Sequence, residues 1–140
     1  MKIVIGDKGK SYNVEVPKER EATLYGVKIG DNFDGGVVGA VGYKFLMRGG
    51  SDKDGFAMKA DVATTAKRRV LLSGPPGYRP KRKGEIVRRF VRGNTISADI
   101  SQVNVIAVET GPTPLDQLFP QAAKEGKKEE EPKQSGKKKK

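Results

Sequence analysis

A chain of 140 residues with 28 Lys and Arg against 17 Asp and Glu carries a formal charge of +11 and contains neither cysteine nor histidine. Thiolate and imidazole zinc sites, cysteine nucleophiles and serine–histidine dyads are therefore excluded, and with them most familiar catalytic chemistry. The apolar start Met1-Lys2-Ile3-Val4-Ile5 breaks at Gly6-Asp7 and no later apolar run approaches the ~18 residues of a membrane span, so a soluble cytoplasmic protein is expected.

In chain order, Lys2 to Ile5 reads as a first strand and Ser11 to Val16 as a second, with Tyr12, Val14 and Val16 alternating against Ser11, Asn13 and Glu15. Asp7-Lys8-Gly9-Lys10 supplies turn chemistry between them, so a hairpin is expected. Pro17 stops the second strand, and Lys18 to Leu24 fits either a helical turn or an irregular connection. Gly26, Gly30, Gly35, Gly36, Gly39 and Gly42 then punctuate short Val- and Ile-bearing pieces, a pattern of bent strands and turns that would interrupt any helix. Tyr43 to Arg48, Arg69 to Ser73, Ile86 to Arg92 and Val103 to Val108 are the next strand candidates. The segment Ile86 to Arg92 does not alternate cleanly, which predicts cover on both faces, one by protein and one partly by nucleic acid. Pro114 to Leu118 predicts one helical turn closed by Pro120. Short strands with glycine-rich turns and little helix predict a mainly β fold, a small β-barrel. Residues 1–123 form the expected domain. Residues 124–140 contain only Lys, Glu, Gln, Gly, Pro and Ser, and are expected to be a disordered basic tail.

The charge is unevenly placed. Residues 67–92 hold ten basic side chains and one acid, a net +9; the segment 124–140 is +4 and the remainder −2. Crowded like charges oppose compaction, so such a cluster implies a polyanion that neutralises it. The internal cluster is arginine-rich, and arginine binds phosphate oxygens in a planar fork and stacks on bases. Nucleic acid is the partner this composition fits. The candidate contacts are Lys67, Arg68, Arg69, Arg79, Lys81, Arg82, Lys83, Arg88, Arg89 and Arg92, with Tyr78 as the nearby aromatic able to stack on a splayed base or to pack in the core. Pro75, Pro76 and Pro80 stiffen the intervening loop.

Two stretches resemble catalytic loops only superficially. Gly74-Pro75-Pro76-Gly77 lacks the Gly-Lys-Ser/Thr ending of a nucleotide P-loop and reads as a turn. Asp52-Lys53-Asp54-Gly55 begins like a calcium loop, but Ala63 stands where the bidentate glutamate belongs, so no metal and no cofactor are expected. Gly49 to Lys59 reads instead as a specified structural loop, its aspartates fixing the turn, Phe56 and Met58 anchoring it, and Arg48, Lys53 and Lys59 free to face phosphate.

That loop, followed by Arg68-Arg69-Val70-Leu71-Leu72-Ser73, then Tyr78-Arg79-Pro80-Lys81-Arg82-Lys83-Gly84-Glu85, Val91-Arg92-Gly93 and Ser97-Ala98-Asp99-Ile100-Ser101-Gln102-Val103-Asn104, resembles the eukaryotic-type small-subunit ribosomal protein six family. The resemblance covers roughly residues 1–111; the family has proline where this chain has Ala57. It implies a non-enzymatic β-barrel protein that binds small-subunit ribosomal RNA beside neighbouring ribosomal proteins, as a monomer within the cytoplasmic ribosome, with no membrane or small-molecule partner. The chain looks like the short archaeal form, without the phosphorylated basic extension of eukaryotic members. The alternative is a free-standing RNA-binding translation factor with a small β-barrel.

Overall fold

A computed structural model of the chain describes residues 1–119. Seven strands, two short α-helices and one 3-10 turn follow one another as β1 (Lys2–Asp7), β2 (Lys10–Glu15), α1 (Lys18–Leu24), β3 (Asn32–Asp34), the 3-10 turn Gly35–Val38, β4 (Lys44–Asp52), β5 (Lys67–Leu72), β6 (Val87–Arg92), β7 (Ile100–Glu109) and α2 (Leu115–Leu118). The fold is mainly β with little helix, as expected.

β1 and β2 form the expected hairpin, with Asp7 opposite Lys10. The two residues between them, Lys8 and Gly9, both have positive φ, 43° and 83°. That geometry matches the twist of the flanking strands in a two-residue turn. Lys18 to Leu24 is helical: Pro17 precedes it, Glu19 and Glu21 stand in its first turn where the helix dipole favours them, and Leu24 is its buried residue.

The expected barrel is not formed. Five strands make an open sheet in the order β2-β1-β7-β4-β3, and β5 and β6 pair with each other in a separate two-stranded ribbon. Closure would need β2 to meet β3, but among the described residues each remains an edge. β3, only three residues long and missed in the glycine-rich stretch, covers just the Asn32 to Asp34 register of β4. The sheet is also mixed, because β7 runs parallel to β1, Lys2 opposite Gln102, and antiparallel to β4.

One face of the sheet is the core. Ile3 and Ile5 of β1, Tyr12 of β2, Phe45 and Met47 of β4, and Val103 and Val105 of β7 all point to it. Leu24, Val38, Ala40, Ile96 and Leu115 cover them from the connections and helices. Full burial of each large aliphatic or aromatic side chain contributes about 1.5–3 kcal/mol.

β4 runs past the expected end at Arg48 to Asp52. Gly49 and Gly50 do not end it. Their pairing with β7 is displaced by a bulge at Arg48, and a Cβ on Gly50 would stand 2.4 Å from the Gln102 carbonyl oxygen. Gly50 therefore permits close approach of two backbones rather than a turn, whereas a Cβ on Gly49 would meet nothing within 4 Å. The remainder of the expected loop turns at Gly55 (φ 84°) and brings Met58 back into the core. The predicted tail and the end of the predicted domain lie outside the described residues. No helix among the described residues is long and apolar enough to cross a membrane.

Candidate nucleic-acid interface

The β5–β6 ribbon and the loop between its strands gather the basic cluster. Cross-strand pairs are Lys67 with Arg92, Arg68 with Val91, Arg69 with Phe90, Val70 with Arg89, Leu71 with Arg88 and Leu72 with Val87. Opposed residues share a face, so the ribbon has two distinct sides. On one side Leu72 and Val91 are buried. The loop folds back over them: a Cβ on Gly77 would lie 3.2 Å from Val91 and 3.5 Å from Leu72. The other side carries Arg69, Leu71, Arg88 and Phe90, all exposed.

Arg68, Arg69, Arg79, Lys81, Arg82, Lys83, Arg88 and Arg89 are exposed. The single acid of the segment, Glu85, organises the loop instead of neutralising it. Its carboxylate accepts hydrogen bonds from the backbone N–H groups of Lys81 (3.0 Å) and Arg82 (3.3 Å), so that turn presents Lys81, Arg82 and Lys83 outward. The nearby Tyr78 hydroxyl, followed by the Lys81 N–H, holds the Glu85 carboxyl below its usual pKa. Tyr78 itself is raised, by burial first and by Glu85 second. Its ring lies 5.9 Å from the Arg89 guanidinium. Tyr78 is half-buried, with Arg89 against its ring.

Arg92 sits differently from the other basic candidates. It is 5% exposed. Its guanidinium donates to Asp52 (3.0 Å), Asp99 (2.7 Å) and Ser97 (2.8 Å), while its Nε has no partner. Asp52 is also buried, so the pair is an internal tie. The Arg92 backbone completes it, donating to the Ala57 carbonyl (2.9 Å) and accepting from the Lys59 N–H (3.0 Å). Arg92 thus joins the ribbon to the end of β4, and its guanidinium faces protein. Lys67 lies beside this tie, 3.4 Å from Asp52, ion-paired to Asp54, and over the Phe56 ring. Its charge is spent largely within the protein.

Three candidates lie outside the cluster in sequence. Arg48 projects from the β4 bulge and is exposed, Lys53 is exposed on the following turn, and Lys59 is half-buried and paired with Asp61 at 2.6 Å. Among the described residues no group of three or more metal-ligating side chains converges, and the aspartates of the calcium-like segment are engaged by Arg92 and Lys67.

The family model described as Ribosomal protein S6e matches residues 1–120. The chain belongs to the ribosomal protein S6e family. Among its relatives, proteins named small ribosomal subunit protein eS6 are 49% identical over 118 residues in Methanothermobacter thermautotrophicus, covering 84% of this chain and 94% of the relative. The relative in Methanosphaera stadtmanae is 44% identical over 124 residues, covering 89% and 95%. In Hyperthermus butylicus the relative is 50% identical over 101 residues, 72% of this chain but 46% of that longer protein. The S6e match spans the main sheet and the ribbon together, so the basic cluster belongs to the family domain and is not an appended segment.

Sequence reasoning missed Phe90. It read the aromatic as one apolar position of a strand with both faces covered, whereas the ring is 47% exposed beneath the Arg69 guanidinium, 5.7 Å from its centroid. The usable signal was its neighbours: an aromatic one residue from two consecutive arginines in Arg88-Arg89-Phe90.

Proposed function

We propose that this chain is a non-catalytic structural constituent of the small ribosomal subunit, and that it binds ribosomal RNA through the β5–β6 ribbon and its loop. On this reading it supports subunit assembly and translation in the cytoplasm, as a single copy among neighbouring ribosomal proteins. Membership of the S6e family and the printed names of the relatives support the ribosomal role. The observation that carries the RNA-binding reading is the exposure of eight basic side chains on one ribbon and loop, with the only acid of that segment engaged by the loop backbone and Tyr78. Such a surface gains affinity by displacing counterions from phosphates, whatever the base sequence. Stiffness adds to it, because the prolines and the Glu85 bonds lower the entropy lost when the loop engages a polyanion.

The test is equilibrium binding to a small-subunit RNA fragment across a salt series. If about six of these side chains neutralise phosphates, the log–log salt slope is about −4 to −5. Replacing Arg79, Arg82 and Arg89 together by glutamine is expected to reduce its magnitude by about 2 and to weaken binding. Glu15→Gln, on the far edge of the sheet, is expected to change neither. A triple variant that is folded and keeps both the affinity and the slope of the parent would move the interface elsewhere, to Arg48, Lys53 and Lys59 first.

A further inference from the structure

The outer side of the ribbon combines charge with bare apolar surface. Leu71 is 63% exposed, opposite Arg88, and Phe90 is 47% exposed, opposite Arg69. The arginines and apolar groups therefore form a checkerboard, each guanidinium facing an apolar side chain across the ribbon. Ile86, immediately before β6, extends it and is also exposed. Phe56 supports the Phe90 ring from the linking turn, its centroid 6.0 Å away and tilted by 59°. Neither Arg69 nor Arg88 is paired with a carboxylate among the described residues.

We propose that this face is a stacking site for unpaired RNA nucleotides, with Phe90 taking a base on its ring and Arg69 and Arg88 taking the adjoining phosphates. The inference rests on the RNA-binding reading above and goes beyond it by naming the form of RNA and the residue that recognises it. Charge complementarity chooses the occupant. An apolar protein segment laid on Leu71 and Phe90 would cover two guanidiniums that have no local counterion, which is costly. A nucleotide brings both a π face for the ring and a phosphate for the fork. Paired RNA offers less: its bases are stacked within the helix, and only its phosphates and 2′-hydroxyls would reach the ribbon. Arg69, which lies over Phe90 at 5.7 Å, turns toward the phosphate as the base takes the ring face. The opposite side of the ribbon, where the loop covers Leu72 and Val91, has no comparable free ring.

The chain has no tryptophan, so Phe90→Trp introduces a single fluorescent reporter at the site. Parent, Phe90→Leu and Phe90→Trp full-length proteins are titrated with single-stranded oligoadenylate and with an RNA duplex of equal length. Phe90→Leu is expected to weaken oligoadenylate binding about tenfold, the loss of one aromatic–base stack, and duplex binding by less than about twofold. Its salt slope should match the parent's, since no charge is removed. Phe90→Trp is expected to retain parental affinity, and oligoadenylate should quench its fluorescence. Equal oligoadenylate affinity for Phe90→Leu and the parent, or an unquenched tryptophan at saturation, overturns the stacking site. If the arginine triple variant still loses affinity and slope, the RNA-binding reading survives that failure. Should the triple variant be unaffected as well, that reading fails with it.

Discussion

Removing the Arg92 guanidinium tests how the ribbon is held. In Arg92→Met the Asp52 carboxylate, 3% exposed, loses its 3.0 Å partner and keeps Lys67 at 3.4 Å and the Lys53 backbone N–H at 2.5 Å. Removing one member of a buried ion pair costs about 3–5 kcal/mol. Two features reduce that figure. Lys67 compensates part of the stranded charge, and the substitution also removes the partnerless Nε, whose burial costs about 1 kcal/mol or more in the parent. The bond to Asp99 adds little because that carboxylate is 60% exposed. A net loss of about 2–3 kcal/mol is expected, a Tm lower by about 10 °C for a domain of this size. Urea unfolding followed by far-ultraviolet circular dichroism measures it.

Combining Arg92→Met with Asp52→Leu removes both charges and is expected to recover most of the loss, because the cost lies in the stranded carboxylate. The folded single variant should also bind RNA with the parental salt slope, its guanidinium having faced protein. A loss below about 1 kcal/mol, or a double variant no more stable than the single one, would refute the internal tie. A flattened slope would return Arg92 to the phosphate-binding set.

Other expectations follow from particular contacts. A Cβ on Gly93 would stand 1.7 Å from the Thr64 carbonyl oxygen, so Gly93→Ala is expected to destabilise by about 3 kcal/mol, read from thermal unfolding; a parental Tm would mean that the 64–66 segment gives way freely. Hydrogen bonds from Lys10 and then Tyr12 hold the Asp116 carboxyl below its ordinary 3.8. This depressed pKa contributes stability that is present above about pH 4 and is lost as pH falls through the lower folded value, and Asp116→Asn should flatten that acid limb of the urea midpoint against pH. Deleting residues 124–140, which hold only polar and charged residues apart from glycine and proline, is expected to leave one cooperative transition and weaken RNA binding modestly. Loss of cooperativity would show that the domain boundary is misplaced.

The parts of the fold legible in the sequence were those where local pattern and tertiary burial agree. Tyr12, Val14 and Val16 alternate, and Tyr12 and Val16 are indeed buried, with a turn rich in small and polar residues before them. The glycines misled because one residue type serves two purposes. Gly55 does turn the chain through positive φ, whereas Gly50 keeps a strand going where the Gln102 carbonyl leaves no room for a Cβ. Closure was illegible for a different reason: it depends on whether two distant edges meet, and neither β2 nor β3 encodes its partner locally. For the site, composition located the cluster but not the direction of each side chain. Arg88, Arg89 and Arg92 are chemically identical, yet Asp52, forty residues earlier, and Asp99 draw only the last of them inward.

One six-residue strand, Val87–Arg92, thus anchors the ribbon and also carries the side chains proposed to bind RNA. A two-stranded ribbon is marginal by itself in water. Here its base is tied to the main sheet by Arg92 and by Phe56 against Phe90, and one side is covered by the loop that Glu85 and Tyr78 brace. These contacts leave Arg69, Leu71 and Arg88 exposed and Phe90 half exposed, although Phe56 supports its ring. Rigid support behind an uncovered, acid-poor face is what a polyanion site needs, because side chains already held in place lose less entropy on binding. The buried arginine and the exposed ones therefore depend on each other. If the Arg92 tie loosens, the ribbon that presents the others loses its fixed position, and RNA affinity should fall through lost rigidity while the salt slope, set by the number of phosphates neutralised, stays the same.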